Sequence, residues 1–74
     1  MGFSFAAKGW LAAVVTQYDV ALSLDPKAAE VHNNLGVALW RMGQPAKSVE
    51  HFSAALALEP GNRRYAESMK LVTP

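Results

Sequence analysis

Apolar residues in the middle of this chain recur at helical spacing. Leu35, Leu39 and Met42 form one run; Val49, Phe52 and Leu56, with Ala55 less regularly placed, form a second. Between the runs stands Gly43-Gln44-Pro45. Glycine suits a helix C-terminus, where the backbone turns left-handed. Proline suits the first turn of the next helix, where its missing N–H costs nothing. Pro60 ends the second run because proline cannot continue a helix. Asn62 is of the residue type that caps a helix N-terminus, and a last helix is expected from Arg63 to about Val72. The pattern predicts helix, tight turn, helix, turn. The expected helices are a short one in Gly2 to Lys8, then about 10–24, 28–42, 45–58 and 63–72.

The same pattern repeats. Ala21-Leu22-Ser23-Leu24-Asp25-Pro26 returns as Ala55-Leu56-Ala57-Leu58-Glu59-Pro60, an offset of 34 residues (60 − 26). At that offset Gly2 meets Gly36, Gly9 meets Gly43, Ala12 meets Ala46 and Val15 meets Val49. Met1 with Leu35, Phe5 with Leu39 and Tyr18 with Phe52 are physically similar pairs. The agreeing positions are small or apolar, and such positions set how closely helices pack. A helical unit of this period indicates stacked hairpins, which cannot bury their apolar faces alone.

The stretch Ala29 to Asn62 resembles a tetratricopeptide repeat, whose pattern runs Trp-x2-Leu-Gly-x2-Tyr, then Ala-x3-Phe, a further Ala and Pro. In that register stand His32, Leu35, Gly36, Leu39, Ser48, Phe52, Ala55 and Pro60, of which five of eight match outright. His32 in place of Trp is the largest departure. The resemblance implies an all-α, right-handed stack of antiparallel helical hairpins, a solenoid of about two repeats plus a C-terminal capping helix. Its expected units are 1–28, an N-terminally truncated repeat; 29–62, a complete repeat; and 63–74, a capping helix and tail. Gly36 sits mid-helix, where glycine costs roughly 1 kcal/mol against alanine. The resemblance places it at the contact of the two hairpin helices, near Phe52 and Ala55. Lys70 holds the equivalent position in the last unit, and with Arg63, Arg64 and Glu67 makes that helix polar.

By register Met1 is position seven of a repeat, so only Gly2 to Lys8 represents the opening helix. Phe3, Phe5, Trp10 and Leu11 are therefore expected to be partly exposed. The chain then reads either as a fragment of a longer array or as one that self-associates through those four residues.

Composition narrows the function classes. The chain has 74 residues, 51% hydrophobic and 18% charged, which suits a small packed domain and not a disordered one. The net charge of +1 supplies no bulk attraction to nucleic acid or membrane. There is no cysteine, so disulfides and thiolate metal sites are excluded. No stretch approaches 18 apolar residues, and Leu11 to Val15 is too short for a signal core. A cytoplasmic chain is expected.

No catalytic constellation, metal site or cofactor motif emerges. His32 and His51 lie 19 apart without the i, i+4 spacing of a helical metal pair, and read as partly exposed helix residues. The glycines follow the repeat period and form no phosphate loop. Arg63-Arg64 is too short for a nucleic-acid patch. The expected function is a non-catalytic scaffold binding a peptide or protein segment. The alternatives are a self-assembling array segment, or the non-catalytic arm of a larger enzyme such as a glycosyltransferase. The resemblance places a groove on the first helix of each hairpin. Its residues here are Glu30, Asn33, Asn34, Val37, Trp40 and Arg41, joined by Phe3, Ala6, Arg64, Glu67 and Leu71. Trp40 is the expected anchor for a peptide side chain. Of the carboxylate clamp of chaperone-binding members only Asn34 matches, with Arg64 a basic substitute, so no clamp is expected. Asn34 also fits one rung of the asparagine ladder found in other arrays.

Overall fold

The computed structural model describes the backbone of residues 3–73 and the side chains of residues 9–73. Four helices follow one another: α1 (Phe3–Leu24), α2 (Ala29–Arg41), α3 (Pro45–Leu58) and α4 (Arg63–Met69). Among the described residues there is no strand. The helices form a layer measuring 40 × 32 × 17 Å.

The pair α2–α3 is the complete hairpin, and its turn follows from local chemistry. Gly43 takes φ +82°, a conformation that costs a residue with a Cβ and costs glycine nothing. The Gly43 and Gln44 N–H groups donate to the Trp40 and Leu39 carbonyls, at 3.0 and 2.9 Å, and satisfy the end of α2. Pro45 then opens α3. Inside the hairpin, Leu35, Ser48, Phe52 and Ala55 are almost wholly buried. Ser48 donates its hydroxyl proton to the Gln44 carbonyl, which makes a polar side chain tolerable there. Gly36 lies under the Phe52 ring: a Cβ at residue 36 would stand 2.5 Å from Phe52 Cε1.

α4 closes the other side. Asn62 caps it, its Oδ1 accepting from the Arg64 N–H at 2.9 Å. Tyr65 is buried against Ala29 and Ala55, with Leu56 beside them. Lys70 is exposed and meets Glu67 at 3.6 Å, a surface pair that adds little stability.

The first hairpin departs from expectation. Instead of a short helix to Lys8 and a second from residue 10, one helix of 22 residues runs unbroken through Gly9. The identity of Gly9 and Gly43 suggests the same turn, but the residue two places on differs. Pro45 clashes with any helix continuing from α2. Leu11 carries an N–H and no ring, so the helix continues at only the modest cost of one interior glycine, about 1 kcal/mol. Met1 and Gly2 lie outside the described residues, as do the side chains of Phe3, Phe5 and Ala6. Trp10 is exposed, as expected, but Leu11 is not: it is 8% exposed. It turns into the contact between α1 and α2, so it is removed from the expected self-association surface.

Candidate functional site: a groove between α1 and α2

α1 packs against α2, and its backbone comes close to neither α3 nor α4 among the described residues. Between α1 and α2 lies a groove of about 210 Å³. α1 contributes Trp10, Leu11, Val14 and Tyr18 to its walls, at a spacing that places them along one helix face. α2 contributes Asn34, Val37, Ala38 and Arg41, again one stripe. Leu11 and Ala38 are buried, Val14, Tyr18, Asn34 and Val37 are half-buried, and Trp10 and Arg41 stand exposed. The lining is mostly apolar, with one amide and one guanidinium to orient an occupant.

The repeat explains why this groove is open. Offset by 34 residues, Tyr18 corresponds to Phe52 and Val14 to Ser48. Phe52 and Ser48 are both 0% exposed because α2 folds back over them. Among the described residues Tyr18 and Val14 have no such cover and are half-buried. The segment equivalent to the second half of α2 is residues 2–8, and its described part continues in line with α1. The described part of α1 therefore leaves Val14 and Tyr18 half-buried along the groove.

The structure sorts the sequence-predicted groove residues. Asn34, Val37 and Arg41 come together in this groove. Asn33 does not: it is 5% exposed, and its Oδ1 has no protein partner among the described residues. It sits on the face of α2 that also carries Ala29 and Gly36, turned away from solvent. Trp40 is 39% exposed and lies outside the groove. α4 ends at Met69, which the offset pairs with Leu35, so the helix supplies no counterpart near Trp40. Glu30, Arg64, Glu67 and Leu71 are exposed and also outside the groove. The sequence reading missed Val14, Tyr18 and Ala38 as lining residues. Their signal was present in the repeat: Tyr18 and Val14 align with Phe52 and Ser48, two of the three wholly buried residues of α3.

A second feature was not legible. The imidazoles of His32 and His51 meet across α2 and α3, with Nδ1 to Nδ1 at 3.2 Å and ring centroids 5.5 Å apart. His32 Nε2 lies 2.9 Å from the Pro26 carbonyl, which can only accept, so the proton belongs on Nε2. His32 Nδ1 is then the acceptor for the Nδ1–H of His51. The pair ties both helices to the turn before α2. Burial, and next the charge on a protonated His32, hold the His51 imidazole below its ordinary value of 6.5; Asp19 and Glu50 oppose this more weakly.

The unfolded chain therefore binds more protons than the folded one in the window between the lowered folded value and 6.5. The stability contributed by neutral His51 is full above 6.5 and is lost as pH falls through it toward the lower folded value. The melting temperature should fall between pH 7.5 and 5, and His51→Gln should flatten that slope. A melting temperature as pH-dependent in His51→Gln as in the wild type would show that the pair carries none of the effect.

Among the described residues no three His, Asp or Glu side chains converge on a metal position, and no described helix is long and apolar enough to cross a membrane.

Comparison with known families places the chain. A family model described as TPR repeat matches residues 2–43, and a second, described as tetratricopeptide repeat, matches residues 29–62. The two overlap on α2 and together run from the start of α1 to the cap of α4. No curated protein matches the chain. Repeats of this kind generally mediate protein–protein interaction and are typically non-catalytic. With the unit matched over more than half its length, and the hairpin, turn and close helix contact all in place, the chain belongs to the tetratricopeptide repeat family.

Proposed function

We propose that this chain is a non-catalytic interaction module that seats an amphipathic helical segment of a protein partner between α1 and α2. The observation that carries this reading is the open groove of about 210 Å³ on a face that the complete hairpin keeps fully covered. A helix laid there would place apolar side chains against Val14, Tyr18 and Val37. Asn34 would supply an amide that both donates and accepts, and Arg41 a cation at the rim. Trp10, 65% exposed, is the aromatic side chain best placed to be covered by the occupant. In this reading the units are 1–28, an opened repeat; 29–62, the complete repeat that holds the fold; and 63–74, the capping helix and tail. Trp40, Arg64 and Glu67 would serve a larger partner that reaches across the α2–α4 side.

The test begins with helical peptides selected from a displayed library on the wild-type chain. Binding should shift the amide resonances of Val14, Tyr18, Asn34 and Val37, and Val37→Asp should weaken it at least tenfold, about 1.4 kcal/mol, with helicity unchanged. Shifts confined to another surface, or equal binding by Val37→Asp, would overturn the groove as the binding site.

A further inference from the structure

We propose that the groove's occupant is the N-terminal arm of α1 from a second copy of this chain, so that two chains exchange arms. The inference rests on the groove being a binding site and names what fills it.

Three observations converge on it. By the 34-residue offset, residues 2–8 correspond to residues 36–42, the half of α2 that covers Phe52 and Ser48. The family match likewise begins at residue 2, so the arm belongs to the first hairpin by sequence. Yet α1 runs straight through Gly9 while Gly43 takes φ +82°. The arm therefore lies beyond Trp10 on the same axis as the face it should cover. At about 1.5 Å per residue, residue 5 is roughly 20 Å from residue 18 along that axis. A straight helix cannot fold onto itself, so the arm and the groove of one chain cannot meet.

They can meet between two chains. Antiparallel packing of two α1 helices places each arm beside the other chain's Val14, Tyr18 and Val37, the direction an ordinary hairpin would have used. The contacts are those of the closed hairpin, and only the connection at Gly9 differs. That is the geometry of a domain swap, in which a hinge that favours extension converts an internal contact into one between copies. A Cβ at Gly9 would meet nothing within 4 Å, so an alanine there fits without steric conflict. The arm's sequence, Phe3-Ser4-Phe5-Ala6-Ala7, supplies two aromatic residues for an apolar groove.

The test uses the full chain. Sedimentation equilibrium across a concentration series should show a monomer–dimer equilibrium. Inserting Gly-Ser-Gly-Ser between Lys8 and Gly9 breaks the extension and lets the arm return to its own groove. The dimer dissociation constant should then rise at least tenfold. Gly9→Ala, which strengthens the straight helix, should leave the dimer at least as tight. For the arrangement itself, a spin label on Ala6→Cys in unlabelled chain is mixed with isotopically labelled chain. Relaxation between chains should appear at Val14, Tyr18, Asn34 and Val37. A wild type that stays monomeric throughout, a dimer unchanged by the insertion, or inter-chain relaxation elsewhere would each overturn the exchange. A synthetic peptide of residues 28–43, a complete first helix, separates the two readings. A monomer that binds this peptide in the groove loses the exchange and keeps the binding site. A monomer that binds neither this peptide nor a selected helical peptide in the groove loses both.

Discussion

Phe52→Ala is expected to cost about 3–5 kcal/mol, the range for deleting a buried aromatic ring whose site cannot collapse. The ring is 0% exposed and lies on Gly36, where no side chain is available to move into the space. A chain of this length has a total stability of roughly 4–11 kcal/mol at the usual 0.05–0.15 kcal/mol per residue. The loss is therefore comparable to the whole at the lower end, and the variant should be substantially unfolded at room temperature. Urea titration followed by circular dichroism measures it. A loss under about 1 kcal/mol would mean that the Phe52–Gly36 contact does not anchor the hairpin.

Gly36→Leu approaches the same contact from the other side. Even a bare Cβ at residue 36 would stand 2.5 and 2.6 Å from two atoms of the Phe52 ring. A ring with no exposed surface has no free direction in which to retreat, so α2 and α3 must separate. Overpacking of this kind costs about 1–3 kcal/mol, and occasionally more. The gain of roughly 1 kcal/mol from replacing a mid-helix glycine offsets only part of it. Because the two residues share one space, their effects should not add. In the Gly36→Leu, Phe52→Ala double variant the leucine fills part of the void left by the ring, and the loss should be smaller than the sum of the single losses. Strict additivity, or an unchanged melting temperature for Gly36→Leu, would show that the helices already have room.

The two ends of the chain differ in how far they could be read. The turn at Gly43-Gln44-Pro45 was legible because it is local: φ preference and the missing proline N–H act within three residues. The cap at Asn62 was legible for the same reason. The expected turn at Gly9 does not form, because a glycine alone is not the whole motif. Glycine permits a turn there; only Pro45 compels one in its partner, and Leu11 does not. The His32–His51 contact was not legible, since it depends on how two helices 19 residues apart in sequence rotate toward each other. The groove was read in part. Asn34, Val37 and Arg41 share the stripe of α2 that lines it, but Asn33, one residue earlier, points about 100° away and is buried.

The sequence by itself determined the helical unit, its period, its family and the close contact at Gly36. Each of these follows from residue size, backbone preference and apolar spacing, which are properties of neighbours along the chain or of the repeat itself. Only the tertiary structure decided which faces stay open. Burial on a helix is settled by what lies across from it: α2 covers Phe52, Ala29 and Ala55 enclose Tyr65, and Tyr18 and Val37, between α1 and α2, stay half-buried. The repeat assigned equivalent residues to equivalent positions. The fold gave Phe52 and Tyr18 different fates, because α2 lies directly across from the one, while among the described residues nothing closes over the other.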